Sequence, residues 1–357
     1  MHDVTIVGGG CVGCSVAKHL IEQSSLDVAV VEKEYHLAEH QSGRNSGVLH
    51  PGFNYEPGSL KAKFATAGTR RLKAYAREHD VPLDECGVVV TALDDAEEQR
   101  IHDLREQAEA NGVETEFLPD AEAIKEHEPN ASGQAAMYCP EAASIDSQEY
   151  VYTLASELKN AGVDFYMGYR VKNVHEGGST LTLETSNGTL ETRYLVNAAG
   201  LHADKLAHQL GVGQSYQIVP FRGEYYELVP DHHSLVQSMI YPVPDPDLPF
   251  LGVHYTRRTD DKIIVGPNAV LAFGREAYEN TDASPRDLYD TLTYRGFWRL
   301  MASWGMASVA WDELNKSYRK AKFVEAARRL LPGVTGSDFA RSYAGIRAQV
   351  VADDGRL

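Results

Sequence analysis

The sequence predicts an α/β unit with a buried parallel sheet, combined with an α+β unit built on a mixed or antiparallel sheet. Three observations carry this. A short apolar run, Val4 to Val7, leads into Gly8-Gly9-Gly10-Cys11-Val12-Gly13 and then into a helical pattern, the strand–turn–helix opening of a βαβ unit. Helical and strand-like segments alternate through the first half of the chain, as a layered α/β architecture requires. From Gln217 to Pro267 apolar and polar residues alternate between Pro and Gly turns, the pattern of antiparallel strands.

The elements follow in order. After the glycine turn, Val16, Leu20 and Ile21 mark the apolar face of a helix, and Val28 to Val31 form a second buried strand ending at Glu32. Leu60 to His79 reads as a helix rich in Lys, Arg and Ala, Val88 to Val90 as a strand, and Asp94 to Asn111 as a charged, solvent-facing helix. Ile145 to Gly162 opens with an acidic turn and continues as a helix, because Asp at such a turn accepts from the first free N–H groups. Strand-like runs follow at Asp164–Tyr169, Leu181–Thr185 and Tyr194–Val196. Phe297 to Leu331 is expected to be largely helical, and Ser342 to Leu357 returns to a Gly-punctuated strand. No internal repeat or low-complexity segment interrupts the pattern. The expected organisation is a discontinuous nucleotide domain of residues 1–85, 144–216 and 335–357, with a substrate domain of residues 86–143 and 217–334 threaded between.

Composition fits such a chain. It has 357 residues, 43% of them apolar and 24% charged, with a formal net charge of -17. At roughly 100–200 residues per domain, two domains are expected. The acidic balance excludes a phosphate-neutralising nucleic-acid binder and docking on an anionic membrane through charge. The uncharged run from Leu300 to Trp311 is too short to span a bilayer, and no signal peptide is visible, so the cytoplasm is expected, with peripheral attachment at the inner membrane face as the alternative. Cys11, Cys14, Cys86 and Cys139 are few and scattered, which implies no disulfide framework. The acidic excess has two readings: an ordinary low-pI enzyme, or a surface adapted to high salt, toward which 13 Lys against 21 Arg leans.

Gly8, Gly10 and Gly13 form G-x-G-x-x-G between a strand and a helix. The first glycine permits the tight turn, the second lets backbone approach a pyrophosphate, and the third lets the helix pack against the sheet. The pyrophosphate then sits at the helix N-terminus. Glu32, at the end of the second strand, is placed to accept from a ribose hydroxyl, which favours NAD or FAD over NADP. Cys11 and Cys14 make C-x-x-C, but no second pair completes a zinc site, and no metal is expected. His232-His233, Arg257-Arg258 and the basic helix Lys316 to Arg329 read as solvated surface, with a docking face on that helix as a minority reading.

The polar loop Gln41 to His50, containing Arg44, Asn45, Ser46 and Gly47, and the turn Asn197-Ala198-Ala199-Gly200 after the strand Tyr194–Val196 resemble the two flavin-contacting loops of the D-amino-acid oxidase superfamily. Within it, the runs His50 to Tyr55, Pro57 to Lys61, Pro220 to Tyr226, Ile240 to Pro246, Pro249 to His254, Val265 to Ala269 and Ala344 to Gln349 resemble the L-2-hydroxyglutarate dehydrogenase/oxidase family, in that family's order.

The resemblance implies a D-amino-acid-oxidase-like two-domain fold, a Rossmann-like FAD-binding domain plus an α+β substrate domain. It implies FAD-dependent oxidation of L-2-hydroxyglutarate to 2-oxoglutarate, with FAD held by Gly8, Gly10, Gly13, Glu32, Arg44, Asn45, Ser46, Gly47, Val171, Ala198 and Gly200. The reaction needs a base for the hydroxyl proton, with His50 and His254 competing for the role. It also needs cations for two carboxylates: Arg347 matches the superfamily's carboxylate arginine, and Arg222 either binds the second carboxylate or pairs with Glu224. Tyr241, Tyr55 and Asn268 are the further substrate-binding candidates, with Lys61 a lesser one and Tyr241 alternatively a rigid wall. Oxygen, a quinone or a carrier protein is the expected electron acceptor. Other superfamily reactions, on an amino acid or glycerol 3-phosphate, and an inactive flavin-binding form are the alternatives. The family's pattern continues past Gly355 with a further small-residue turn and helix near the flavin, so a truncated or naturally short form is expected, with FAD affinity in question in the latter case.

Overall fold

The computed structural model describes residues 1–245, 251–302, 317 and 319–357. Three sheets are present among these residues. The first runs, in spatial order, Val171–Gly177, Thr180–Thr185, Gly188–Asn197, His2–Val7, Val28–Glu32, Asp164–Met167. Its centre is parallel, His2–Val7 lying between Gly188–Asn197 and Val28–Glu32. Val4, Ile6, Val28 and Val30 pack on Cys14 and Ala17 of the helix Cys11–Gln23 and on Val151, Leu154 and Leu158 of the helix Ser147–Asn160. Asp146 caps that second helix, accepting from Gln148 and Glu149 N–H at 3.0 Å.

The second sheet is larger and mixed. Its order is Val270–Leu271, Tyr216–Leu228, Ile263–Gly266, His254–Arg257, Met239–Pro242, Val88–Ala92, Ala135–Cys139, Glu116–Leu118, with Phe339–Ala352 also pairing with Tyr216–Leu228. Met239–Pro242 and Val88–Ala92 are parallel, and the remaining pairs are antiparallel. Side-chain alternation gives the two faces different jobs. Val89, Ile240, Tyr255, Val265, Tyr226 and Leu228 turn to one side, where Phe323, Val324 and Ala327 of the helix Lys320–Arg328 cover them. Val88, Val90, Met137, Met239 and Tyr241 turn to the other, where Ile101, Leu104 and Ala108 of the helix Asp95–Ala110 cover part of the face. A small third sheet of Val48–Leu49, Ala143–Ile145 and Leu83–Asp84 follows the glycine-spaced loop.

Residues 335–357, expected in the nucleotide unit, instead supply the strand Phe339–Ala352 to the larger sheet, in register with Tyr216–Leu228 from Leu228↔Phe339 to Tyr216↔Ala352. A run of thirteen or so residues gains most ladder bonds beside a partner of equal length, and Tyr216–Leu228 is that partner. The expected helix from Phe297 to Leu331 is observed as Arg295–Ala302 and Lys320–Arg328. The stretch from Trp304 to Trp311 and residue Lys316, like Pro246, Pro249 and Phe250, lie outside the described residues. The helices Ala121–His127, Ala203–Gln209 and Pro285–Thr293 are short, and their one or two apolar turns carry too little periodicity to read in advance. No described helix is long and apolar enough to cross a membrane.

A buried fork joins the two large sheets. Arg275, from the segment after Val270–Leu271, grips Asp204 of the helix Ala203–Gln209, with Nη2 at 2.7 Å from Oδ2, while the same carboxylate accepts from the Ile218 N–H at 3.0 Å. The side chains are only 3% and 7% exposed. Burial alone would raise the Asp204 pKa, but the Arg275 guanidinium and backbone N–H groups hold it below its ordinary 3.8. Replacing Arg275 with Met strands a buried carboxylate and is expected to lower the unfolding free energy by about 3–5 kcal/mol, read by urea denaturation; a loss below about 1 kcal/mol would refute the clamp. The pair's contribution is complete above the ordinary carboxylate range and disappears as pH falls through the depressed Asp204 value.

Candidate active site

Two neighbouring regions hold the predicted site residues. The first is a cavity of about 900 Å³ at the C-terminal ends of the parallel strands, lined by Gly8, Gly10, Glu32, Asn45, Val171 and Ala198 among others. Gly200 also borders it. The turn leaves no space for side chains: a Cβ at Gly8 would stand 2.2 Å from the Ala198 carbonyl oxygen, one at Gly13 1.9 Å from the Gly8 oxygen, and one at Gly10 2.7 Å from Ser42 Oγ. The helix that follows has no acid in its first turn, and although its Cys11 N–H donates to Ser42 Oγ at 3.0 Å, its dipole and the Val12 and Gly13 N–H groups remain open to an anion. Glu32 is oriented from both sides, Oε2 accepting from Gly9 N–H at 2.8 Å and Oε1 from Glu34 N–H at 3.0 Å. Such a cradle, anion-seeking at one end and carboxylate-lined at the other, fits a dinucleotide.

Charged groups tie the cavity's rim across the two sheets. Glu276 accepts from His202 at 2.7 Å and pairs with Lys33 at 2.9 Å, and these contacts hold its carboxyl well below the usual carboxylate range. His40 meets Tyr278 Oη at 2.6 Å, and the Arg44 guanidinium lies 4.1 Å from the centre of the same ring. Arg44 also donates to the Glu39 carbonyl at 3.1 Å. Glu34, His40 and Glu276 could in principle gather a metal, but the Lys33 ammonium already stands among them. Cys14 is buried in the core, its thiol pushed up to about 12 by burial, and Cys11 is free.

The second region lies where the glycine-spaced loop meets the larger sheet. Asn45 folds the loop on itself, donating to the Gln41 and Ser42 carbonyls and accepting from Gly47 N–H at 2.7 Å. Gly47 has φ +75°, and a Cβ there would approach the Ile145 oxygen to 2.6 Å. The chain then forms Val48–Leu49 and delivers His50, whose carbonyl accepts from Thr69 Oγ1 at 2.7 Å. His50 faces Tyr241 at 6.0 Å between ring centres, and Tyr241 faces His254 at 4.3 Å. Burial pushes the His50 pKa down to about 4. His254 falls to about 4 as well, chiefly through burial, with His50 and Arg347 adding to the effect against the Gly252 carbonyl. That carbonyl accepts from His254 Nδ1 at 2.8 Å. Because a carbonyl only accepts, the proton is on Nδ1 and the Nε2 lone pair is free to take another.

Tyr225 and Tyr343 stack at 5.0 Å, and Tyr343 Oη donates to the Asn45 carbonyl at 2.6 Å. Tyr225 reaches Ser46, and burial raises its phenol well above the ordinary value while Arg347 and Arg258 oppose the rise. Arg347 is exposed on the strand Phe339–Ala352. Tyr55 is tied through its carbonyl to Asn111 at 2.7 Å.

Arg222, expected either at the second carboxylate or paired with Glu224, makes the second of these contacts: it is buried and donates to Glu224 at 3.0 Å, to the Ala277 and Glu279 carbonyls and to Asn280. Asn268 likewise serves Glu224, donating to its carboxylate at 2.8 Å and accepting from its N–H at 2.7 Å. Both hold the sheet turn, because an acid two residues after Arg222 is its nearest partner. Arg258, expected on solvated surface, instead turns inward and donates to Tyr343 Oη at 3.1 Å, while Arg257 pairs with Asp84 and Asp261. Tyr225, Tyr343 and Arg258 escaped the sequence reading; their signal was position on alternate residues of strands whose pairing was unknown.

A family model described as FAD dependent oxidoreductase matches residues 3–357. The chain belongs to the FAD-dependent oxidoreductase family. As such its cofactor is FAD, and the glycine cradle and Glu32 are the residues that fit its dinucleotide. Among curated relatives of this flavoenzyme, the mitochondrial L-2-hydroxyglutarate dehydrogenase of Nematostella vectensis is 38% identical, aligned over all of this chain and 81% of its own length. The L-2-hydroxyglutarate dehydrogenase of Escherichia coli K12 is 37% identical, over all of this chain and 84% of its own. The fold is shared with the FAD-bound L-α-glycerophosphate oxidase of Mycoplasma pneumoniae, with a TM-score of 0.77 at 23% identity over 97% of this chain and 83% of that one. Glycine oxidase of Geobacillus kaustophilus gives a TM-score of 0.72 at 20% identity, over 99% of this chain and 84% of that one.

Glu32→Arg is expected to weaken FAD retention at least tenfold, seen as lost flavin absorbance after gel filtration; full retention would contradict the ribose role. Both site histidines are neutral at pH 7, since their pKa values lie near 4. Flavin reduction is therefore expected to stay level from neutrality into mild acid and fall as pH drops through about 4, and a midpoint at the ordinary histidine value of about 6.5 would argue against a buried base.

Proposed function

We propose that this flavoenzyme oxidises L-2-hydroxyglutarate to 2-oxoglutarate. The observation that carries the reading is the grouping of half-buried His50 and buried His254 around Tyr241, with Arg347 near enough for its charge to act on His254, in a chain similar over its whole length to L-2-hydroxyglutarate dehydrogenases. A 2-hydroxy acid needs its hydroxyl proton removed as the C2 hydrogen departs with its electron pair. When bound, FAD supplies the two-electron acceptor for that hydride.

The chain's own residues do the remaining work. Arg347 pairs with the C1 carboxylate and orients C2. His254, held as the Nδ1–H tautomer by Gly252, presents Nε2 to the hydroxyl, and His50 also borders Tyr241, 6.0 Å from its ring centre. Tyr241, 4% exposed, keeps water from the space between them. The reading places the enzyme in the cytoplasm, with oxygen, a quinone or a carrier protein as the oxidant of reduced flavin; stopped-flow reoxidation by each separates the three.

Anaerobic mixing with L-2-hydroxyglutarate is expected to bleach the flavin, and the D-enantiomer is expected to leave it oxidised. No bleaching by the L form would overturn the assignment. Replacing each histidine singly with Gln should slow bleaching by about 10²–10⁴-fold for the residue that takes the proton. Mild and equal losses would show that neither does.

A further inference from the structure

L-2-hydroxyglutarate carries a second carboxylate, and the residue expected to hold it is engaged elsewhere. Arg222 spends its donors on two carbonyls, Glu224 and Asn280. Arg44 is committed to the Glu39 carbonyl and the Tyr278 ring, and Arg257 to Asp84 and Asp261. A dianion in a protein of net charge -17 still requires a local cation at each end.

Strand periodicity identifies one. Tyr255 faces the core under the helix Lys320–Arg328, opposite Ile240 and Val265. His254 and Thr256 therefore face the other way, where His254 meets Tyr241. Arg258 continues that alternation immediately beyond His254–Arg257, turning toward the same side. There its Nη1 donates to Tyr343 Oη at 3.1 Å, and its guanidinium lies 5.7 Å from that ring's centre. Tyr343 stacks on Tyr225, and Tyr225 is near enough to feel the charges of both Arg258 and Arg347. Tyr343 and Arg347 lie four residues apart on one face of one strand, about 13 Å from Cα to Cα. Arg347 and the guanidinium beside Tyr343 therefore belong to separate points along one line of the sheet, as the two ends of a diacid require.

Arg258 also keeps capacity to bind. Its carboxylate neighbour, Asp260, is 3.7 Å away and 46% exposed, and that acid is shared with Lys262 at 3.2 Å. The Arg258 side chain itself is 28% exposed, so an entering anion can reach it, unlike the buried Arg222.

We infer that Arg258, steadied by Tyr343, holds the carboxylate remote from the reacting carbon and so selects diacids over monoacids. The inference rests on the L-2-hydroxyglutarate reading above. It also assigns the two tyrosines a positioning role, Tyr343 fixing the guanidinium and Tyr225 backing Tyr343.

The test compares anaerobic flavin reduction of the FAD-loaded wild type, Arg258→Met and Arg258→Lys with L-2-hydroxyglutarate and with L-2-hydroxypentanoate, which has the same carbon chain without the second carboxylate. In Arg258→Met the preference for diacid over monoacid, as a ratio of kcat/KM, is expected to fall about 10- to 100-fold, mostly through KM. Arg258→Lys should recover part of it, since charge returns without the planar fork. An unchanged ratio overturns the proposal even if both rates fall together, because a purely structural arginine would slow both substrates alike. Failure of the wild type to be bleached by L-2-hydroxyglutarate overturns the functional reading, and this proposal with it.

Discussion

The site depends on one close approach of backbone to backbone. A Cβ at Gly345 would lie 2.3 Å from the Arg44 carbonyl oxygen, so the glycine-spaced loop rests directly on the strand Phe339–Ala352. That contact brings Asn45 within reach of Tyr343 and Ser46 within reach of Tyr225, and the loop's continuation carries His50 to Tyr241. Side chains of ordinary size at this seam would push the two sheets apart and separate the histidines from each other. The buried Arg275–Asp204 fork resists such separation from a second point.

Burial at the seam also sets the chemistry. Two histidines beside one tyrosine ring are both kept neutral by loss of solvation. A neutral imidazole is a base, and the Gly252 carbonyl decides which nitrogen of His254 offers the lone pair. Positive charge comes from arginine, whose guanidinium stays charged in nearly any surroundings. In a chain of net charge -17, Arg258 and Arg347 are the cations whose charges reach Tyr225 at the seam.

Much of this was legible in advance where local geometry alone dictates residue type. The turn at Gly8 and Gly13 admits only glycine because carbonyl oxygens stand where a Cβ would go, and a Cβ at Gly10 would crowd the Ser42 hydroxyl; the short apolar strands around the turn can only be buried. His50 was singled out because it ends the glycine-spaced loop Gln41 to His50. His254 and Tyr241 were singled out through the family's sequence runs, although their tilted ring contact was not.

The sequence by itself determined the dinucleotide turn and the residues nearest it, the parallel centre of the first sheet and the antiparallel strands of the second. Each is encoded by neighbours within a few positions along the chain. Tertiary structure decided which arginine is spent and which is available. Arg222 meets Asn280 and the Ala277 and Glu279 carbonyls because a long strand and a distant loop fold together. Arg258 turns inward because Tyr343 arrives beside it from a strand 85 residues later. It likewise decided that the final strand completes the larger sheet, since a strand's partner is chosen by the register and length of segments far away, which no local pattern records.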